Sequence, residues 1–208
     1  MKGGIYHRIQ IDMTYNSNHI EGSRLTKEQT RYIFETNTIG ITDEAVKVDD
    51  IIETTNHFKC IDFIIDKAKE PLTEAMIKQM HALLKAGMSD ASKSWFAVGE
   101  YKRYANEVGG IETTDPKLVG KAIRELLRDY KNKKVIAFED ILDFHHRFET
   151  IHPFQDGNGR VGRLIMFKEC LNHAIVPFII TDPGYLTDTC LTAQDHFKML
   201  LDYFKIKY

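Results

Sequence analysis

The chain has 208 residues, 43% of them hydrophobic and 28% charged, with a formal net charge of -2. That length holds one domain with a substantial core, and the near balance of charge supplies no broad basic field for nucleic acid or an anionic membrane. No apolar run reaches transmembrane length, the N-terminus lacks a signal-like stretch, and Cys60, Cys170 and Cys190 are isolated in the sequence; together these point to a cytoplasmic protein with reduced thiols.

In chain order, SNHIEG at 17–22 reads as a short helix end within a short N-terminal extension. Ser17 and Glu21 are four apart and face one way, and Gly22 is the terminator. Thr26 is placed to cap a short helix through TKEQTRYIFETN. Residues 43–69 repeat apolar positions every three or four residues without Gly or Pro, which predicts one long helix. LTEAMIKQMHALLKAG follows, with Thr73 as its cap, Gly87 at its close, and Met76, Met80, Leu83 and Leu84 on its core side. Trp95 and Phe96 read as packing anchors. GEYKRYANEVGG at 99–110 reads as a small hairpin or extended flap.

Asp115-Pro116 starts the next helix, with proline at its tolerated first position, and KNKK at 131–134 reads as a solvated helix end. AFEDILDFHHRFETI is amphipathic, with His145 in phase with its apolar side. GNGRVGRLIMFKECLNHA is helical beyond its glycines, VPFIITDPGYLTD breaks the pattern, and LTAQDHFKMLLDYFKI predicts a last helix. The fold class expected is all-α, a compact helical bundle with a small β-hairpin flap.

Between two of these helices lies HPFQDGNGRVGR, residues 152–163. Gly157 and Gly159 free the backbone so that successive N–H groups can form a concave anion site, and the following helix presents its N-terminus to the same place. Arg160 and Arg163 are three apart and reach one side of that helix. Asp156 would repel a phosphate unless a divalent cation joined the two, as Mg²⁺ habitually does. His152, at the mouth of the loop, has the chemistry to take a proton from an attacking hydroxyl. Each residue singly fits an ordinary turn or a solvated helix face. As a set they describe transfer from a nucleotide: cradle, metal, charge clamp and base.

The loop also carries a resemblance. HPFQDGNGRVGR satisfies every specified position of the Fic-family signature H-P-F-x-[D/E]-G-N-G-R-x-x-R, and SNHIEG is similar to that family's inhibitory signature [S/T]-x-x-x-E-[G/N]. The resemblance implies a Fic-type helical bundle that transfers AMP from ATP to a Tyr, Ser or Thr hydroxyl of a target protein and releases pyrophosphate. By position it implies His152 as general base, Asp156 as Mg²⁺ ligand, Gly157, Asn158 and Gly159 as anion hole, and Arg160 and Arg163 as phosphate clamp. A lysine in place of Gly159 marks the family's kinases, so the glycine implies AMP transfer.

By the same resemblance Ser17, Glu21 and Gly22 belong to a built-in brake, with Glu21 pairing Arg163 in competition with the γ-phosphate of ATP. Residues 1–36 are then the inhibitory segment and 37–208 the catalytic domain. The stretch 99–110 resembles the flap against which a target loop pairs, self-modification is a reasonable first assay, and in some relatives the glutamate also serves removal of AMP. One departure is visible. Relatives continue with adjacent aromatics around the adenine, whereas here Tyr185 is the only aromatic between Phe178 and Phe197, which predicts an open base pocket and weak nucleotide discrimination. Two other readings stay open: a nucleotide-binding regulator with little transferase activity, and transfer of another phosphate-containing group.

Overall fold

The computed structural model describes residues 3–40 and 45–180. Among them are α1 (Ile5–Ile20), α2 (Lys27–Thr36), α3 (Val48–Asp66), α4 (Glu74–Lys85), α5 (Pro116–Lys131), α6 (Phe138–Ile151) and α7 (Asn158–Asn172), with a hairpin of β1 (Glu107–Val108) and β2 (Ile111–Glu112). The fold is all-α with one small antiparallel ribbon, as the sequence predicts.

Helix starts follow local side-chain chemistry. At α2, Thr26 and Gln29 form a reciprocal capping box, the Gln29 N–H donating to Thr26 Oγ1 at 3.1 Å and the Thr26 N–H to Gln29 Oε1 at 2.8 Å. Thr73 Oγ1 accepts from the Met76 N–H at 3.2 Å to start α4. Asp115 accepts from the Lys117 N–H at 2.8 Å beside Pro116 to start α5. Each such cap contributes about 1 kcal/mol.

α7 is the centre of the bundle. Every residue from Arg160 to Cys170 on it is buried, because α6, α3, α4 and α1 surround it. A helix covered on all sides shows no single apolar stripe. Its Val161 and Leu164 join Ile61, Ile64, Ile77, Met80, Leu84, Phe148 and Phe154 in a core without solvent exposure. Cys60 and Cys170 are buried free thiols, pushed up to about 12 by burial, a state that makes both unreactive.

Several elements differ from the sequence reading. The helix expected over 43–69 begins only at Val48. Its first turn is pinned by side chains, Asp50 accepting from the Arg24 N–H at 3.2 Å and Asp49 from the Ser89 N–H at 3.0 Å. It stops at Asp66, where a turn closed by Glu70 N–H to Lys67 O at 3.0 Å leads into Pro71. α1 is a full 16-residue helix rather than a short extension. Its buried face is largely polar (Gln10, Thr14, Ser17 and Asn18 beside Ile11 and Met13), so apolar periodicity understates it. The strands sit at the end of the expected stretch and just beyond it, around Gly109 and Gly110, whose φ values of 59° and 78° make the turn that suits a two-residue hairpin. Phe96 is buried, but Trp95 keeps 39% of its surface, with the Lys93 ammonium 5.4 Å from its ring. The expected last helix, Tyr185 and Cys190 lie outside the described residues.

Candidate active site

His152 ends α6 in the left-handed conformation, φ 50° and ψ 62°, while its N–H still donates to Phe148 O at 2.9 Å. That conformation costs a non-glycine residue about 1 kcal/mol, and the fixed neighbours over-determine it. Pro153 O accepts from the Lys102 N–H at 2.9 Å, and the Phe154 ring is fully buried, stacked 4.0 Å from His81 at an interplanar angle of 1°. His152 Nδ1 lies 3.3 Å from Glu149 O. A carbonyl only accepts, so Nδ1 carries the hydrogen and Nε2 presents a bare lone pair. Burial holds the ring below the usual histidine range, which keeps it neutral and basic at neutral pH.

The next turn is closed by Asn158. Its Oδ1 accepts from the Phe154 N–H at 2.7 Å and its Nδ2 donates to Phe154 O at 2.9 Å. Both ends of the amide therefore brace the loop, and the Asn158 backbone N–H belongs to the start of α7. Gly157 stands just before α7 with φ 84°, and a Cβ there would meet Lys85 Cε at 3.0 Å. The first N–H groups of α7 have no intrahelical acceptor. Glu21 fills the space beside Gly159, where a Cβ would sit 2.2 Å from Glu21 Oε1 and 3.0 Å from Arg163 Nη1.

The charged residues meet here. Arg163 Nη2 donates to Glu21 Oε1 at 2.6 Å and to Ser17 O at 3.0 Å, and its Nε donates to Ser17 Oγ at 2.9 Å. Burial opposes the charge on Glu21, but Arg163 and Arg160 outweigh it and hold the carboxyl below its ordinary range. Gly22, at φ 89°, turns the chain away directly after Glu21. Arg160 reaches Glu53 through Nη1 and Asp156 Oδ1 through Nη2, the latter at 3.1 Å. Asp156 Oδ2 also pairs with the Lys85 ammonium, which in turn pairs with Glu53. Despite its burial, Arg160 and Lys85 hold Asp156 down at about 2, so it is ionised at any physiological pH.

Four participants are not readable from local spacing. Lys85 and Glu53 arrive from α4 and α3. His81 bridges the loop and the flap: its Nδ1 accepts from the Gly99 N–H at 2.9 Å, so its Nε2 donates to Asp156 O, 3.1 Å away. Glu149 lies on the α6 side, with Oε2 4.0 Å from His152 Nδ1 and Oε1 shut away from water without a hydrogen-bond partner among the described residues. Burial pushes its carboxyl up to about 8. Gly162 makes room for it, because a Cβ there would come within 2.5 Å of Glu149 Oε1.

The stretch 99–110 is tied to the loop. Besides Lys102 N–H to Pro153 O, Asn106 Nδ2 donates to Phe154 O at 3.1 Å and the Tyr104 N–H to Gln155 Oε1 at 3.4 Å. The Lys102 ammonium is buried against Asn106, Thr113 and Ile151 O, and burial lowers it to about 8.

This geometry is a basic helix start with a flanking imidazole, and residues 71–170, which span α4 to α7, match the Fic/DOC family. Over these residues the chain is similar to Fic-domain proteins. It is 28% identical over 156 residues to a probable protein adenylyltransferase of Aquifex aeolicus, covering 68% of this chain and 47% of that one. It is 26% identical over 173 residues to the protein adenylyltransferase Fic of Aedes aegypti, covering 82% of this chain and 34% of the other. The chain thus spans less than half the length of these relatives. In structure it resembles a Fic-domain-containing signaling protein from Bacteroides thetaiotaomicron, with TM-score 0.76, 26% identity, and coverage of 91% of this chain and 76% of that one.

A divalent ion fits the 152–163 loop under one condition. Among the described residues no group of three or more His, Cys, Asp or Glu side chains is gathered to hold a metal alone. Asp156, ionised and with 47% of its side chain exposed, offers the single carboxylate that Mg²⁺ uses when phosphate oxygens and water complete its octahedron.

Proposed function

We propose that this chain is a protein adenylyltransferase that moves AMP from ATP to a hydroxyl side chain and is held slow by Glu21. The observation that carries this reading is the Glu21 carboxylate itself. It is an anion lying on Arg163 and over Gly159, in the space a Cβ would occupy. A negatively charged group held at a helix start by arginine marks where a phosphate would bind. The naming of two relatives as protein adenylyltransferases supports AMP as the group transferred.

In this reading Arg160, Arg163 and the α7 N–H groups hold the phosphates and turn the α-phosphorus toward His152. Asp156 would hold Mg²⁺, which would supply neutralisation of the developing charge. The attacking hydroxyl oxygen bonds to the α-phosphorus as its bond to pyrophosphate breaks. The hydroxyl proton passes to His152 Nε2, and pyrophosphate leaves with the bonding electron pair. The target enters along the flap, where Val108 and Ile111 are exposed on a two-stranded ribbon.

A second reading, a nucleotide-binding regulator, draws on the fact that Arg160, Arg163 and Asp156 all have ionic partners. Incubating Glu21→Gly protein with ATP labelled at the α- or the γ-phosphate separates the two. We expect α-label on protein, on this chain itself in the first assay, and none from γ-label. Label from neither position, with ATP bound, would favour the regulator, and γ-label would make it a kinase.

A further inference from the structure

Lys85 has no part in the mechanism above, yet it is among the most deeply buried side chains of the molecule, with 2% of its side-chain surface exposed. It is the last residue of α4. Its ammonium lies between Glu53 and Asp156, and the Arg160 guanidinium bridges the same two acids from the other side. Two cations and two carboxylates thus form a closed, neutral quartet, whose Glu53 corner keeps only 9% of its side-chain surface and whose Asp156 corner keeps 47%. The Lys85 stem lies against Gly157, where a Cβ would come within 3.0 Å of Cε, so the ammonium has little room to retreat.

From this we infer that Lys85 is a built-in counter-cation for Asp156, which suppresses binding of a bare divalent ion and lets one in only with nucleotide phosphate. This inference rests on the proposed function and concerns how its metal arrives. Affinity for a hard cation follows the negative charge its ligands offer. At Asp156 that charge is already offset within the neutral quartet by two buried cations. A divalent ion bonded to this carboxylate would face both Lys85 and Arg160 across it. The phosphates of a nucleotide reverse the balance by adding several negative charges at once. Lys85 would also orient the carboxylate, and a purely orienting lysine predicts the opposite result on removal.

The test is Mn²⁺ binding to the full chain, followed by electron paramagnetic resonance with and without ATP, in the Glu21→Gly background. That parent should bind Mn²⁺ with ATP and only weakly without it. Lys85→Met should raise affinity for bare Mn²⁺ at least tenfold, and Glu53→Gln, which leaves two cations on one carboxylate, should lower affinity for Mn²⁺ with ATP several-fold. Lys85→Gln carries the same expectation as Lys85→Met should the methionine variant not fold. Unchanged or reduced bare-ion affinity in a folded Lys85 variant overturns the inference, as does tighter binding in Glu53→Gln. Absence of Mn²⁺ and ATP binding in the parent and every variant would overturn the proposed function together with it, whereas normal binding in the parent and no change in the variants removes only the role of Lys85.

Discussion

α1 and α7 both bury polar side chains, but they do so by different chemistry. Along α1 the buried groups are neutral and bond to α3: Gln10 Nε2 to Asp62 at 2.7 Å, Thr14 Oγ1 with His57 Nδ1 at 2.9 Å, and Asn18 Nδ2 to Thr54 Oγ1 at 3.1 Å. The first turns of α7 bury cations, Arg160 and Arg163, each matched to a carboxylate from another element. Only the last turn of α1 crosses between the two systems, through Ser17 and Glu21. α1 is thus an arm whose buried body is anchored by neutral side chains and whose last turn alone meets the arginines of α7. The Glu21 carboxylate keeps 25% of its side chain exposed, and we expect it to leave Arg163 without α1 leaving α3.

The largest expected effect tests the α7 side. His152→Ala removes the base and should lower transfer in the Glu21→Gly background by about 10²–10⁴-fold. Nucleotide binding and the thermal unfolding midpoint should stay close to those of the parent; a variant that still labelled protein at the parental rate would place the base elsewhere.

At the crossing point, Ser17→Ala takes a buried acceptor from the Arg163 guanidinium. A hydrogen bond to a charged group contributes about 1.5–3 kcal/mol, so urea unfolding should report a loss of that order. Transfer should rise, but less than in Glu21→Gly because the carboxylate remains. Along the body of α1, Thr14→Val keeps the shape and removes the hydroxyl bonded to His57. A loss of about 1–3 kcal/mol is expected, with no rise in transfer. If Thr14→Val released activity as strongly as Ser17→Ala, α1 would act as one detachable unit and the contrast drawn above would fail.

The last effect is a slope with pH. Glu149 is an acid whose folded value is raised from 4.5 to about 8 by burial. The folded chain therefore holds its proton over a range in which the unfolded chain has released it. The stability it contributes is complete below pH 4.5 and lost as pH rises to about 8. Glu149→Gln should gain stability relative to wild type across that window and stay level above it, as read from urea midpoints at successive pH values. A difference independent of pH would mean that Glu149 is ionised in the fold.

The loop was legible because its parts lie within twelve consecutive positions and each has a local task, such as the tight turn at Gly157 or the paired arginines of one helix side. The caps at Thr26, Thr73 and Asp115 were legible for the same reason. Lys85 and Glu53 were not, since they stand 71 and 103 positions before Asp156 and before a partner that lies 107 positions on, Arg160, and only the packing of α3 and α4 on α7 joins them. Hydrophobic periodicity also understated α1, whose buried face is Gln10, Thr14, Ser17 and Asn18 more than it is aliphatic.

The central claim is that Glu21 stands where the outer phosphates of ATP must go. Calorimetric titration of wild type and Glu21→Gly with ATP and with AMP, at fixed Mg²⁺, tests it most directly. Releasing Arg163 should tighten ATP by about tenfold or more, the scale of one charge-assisted contact, and leave AMP, which has no outer phosphates, nearly unchanged. Equal affinities of the two proteins for ATP, or an equal gain for AMP, would contradict the account.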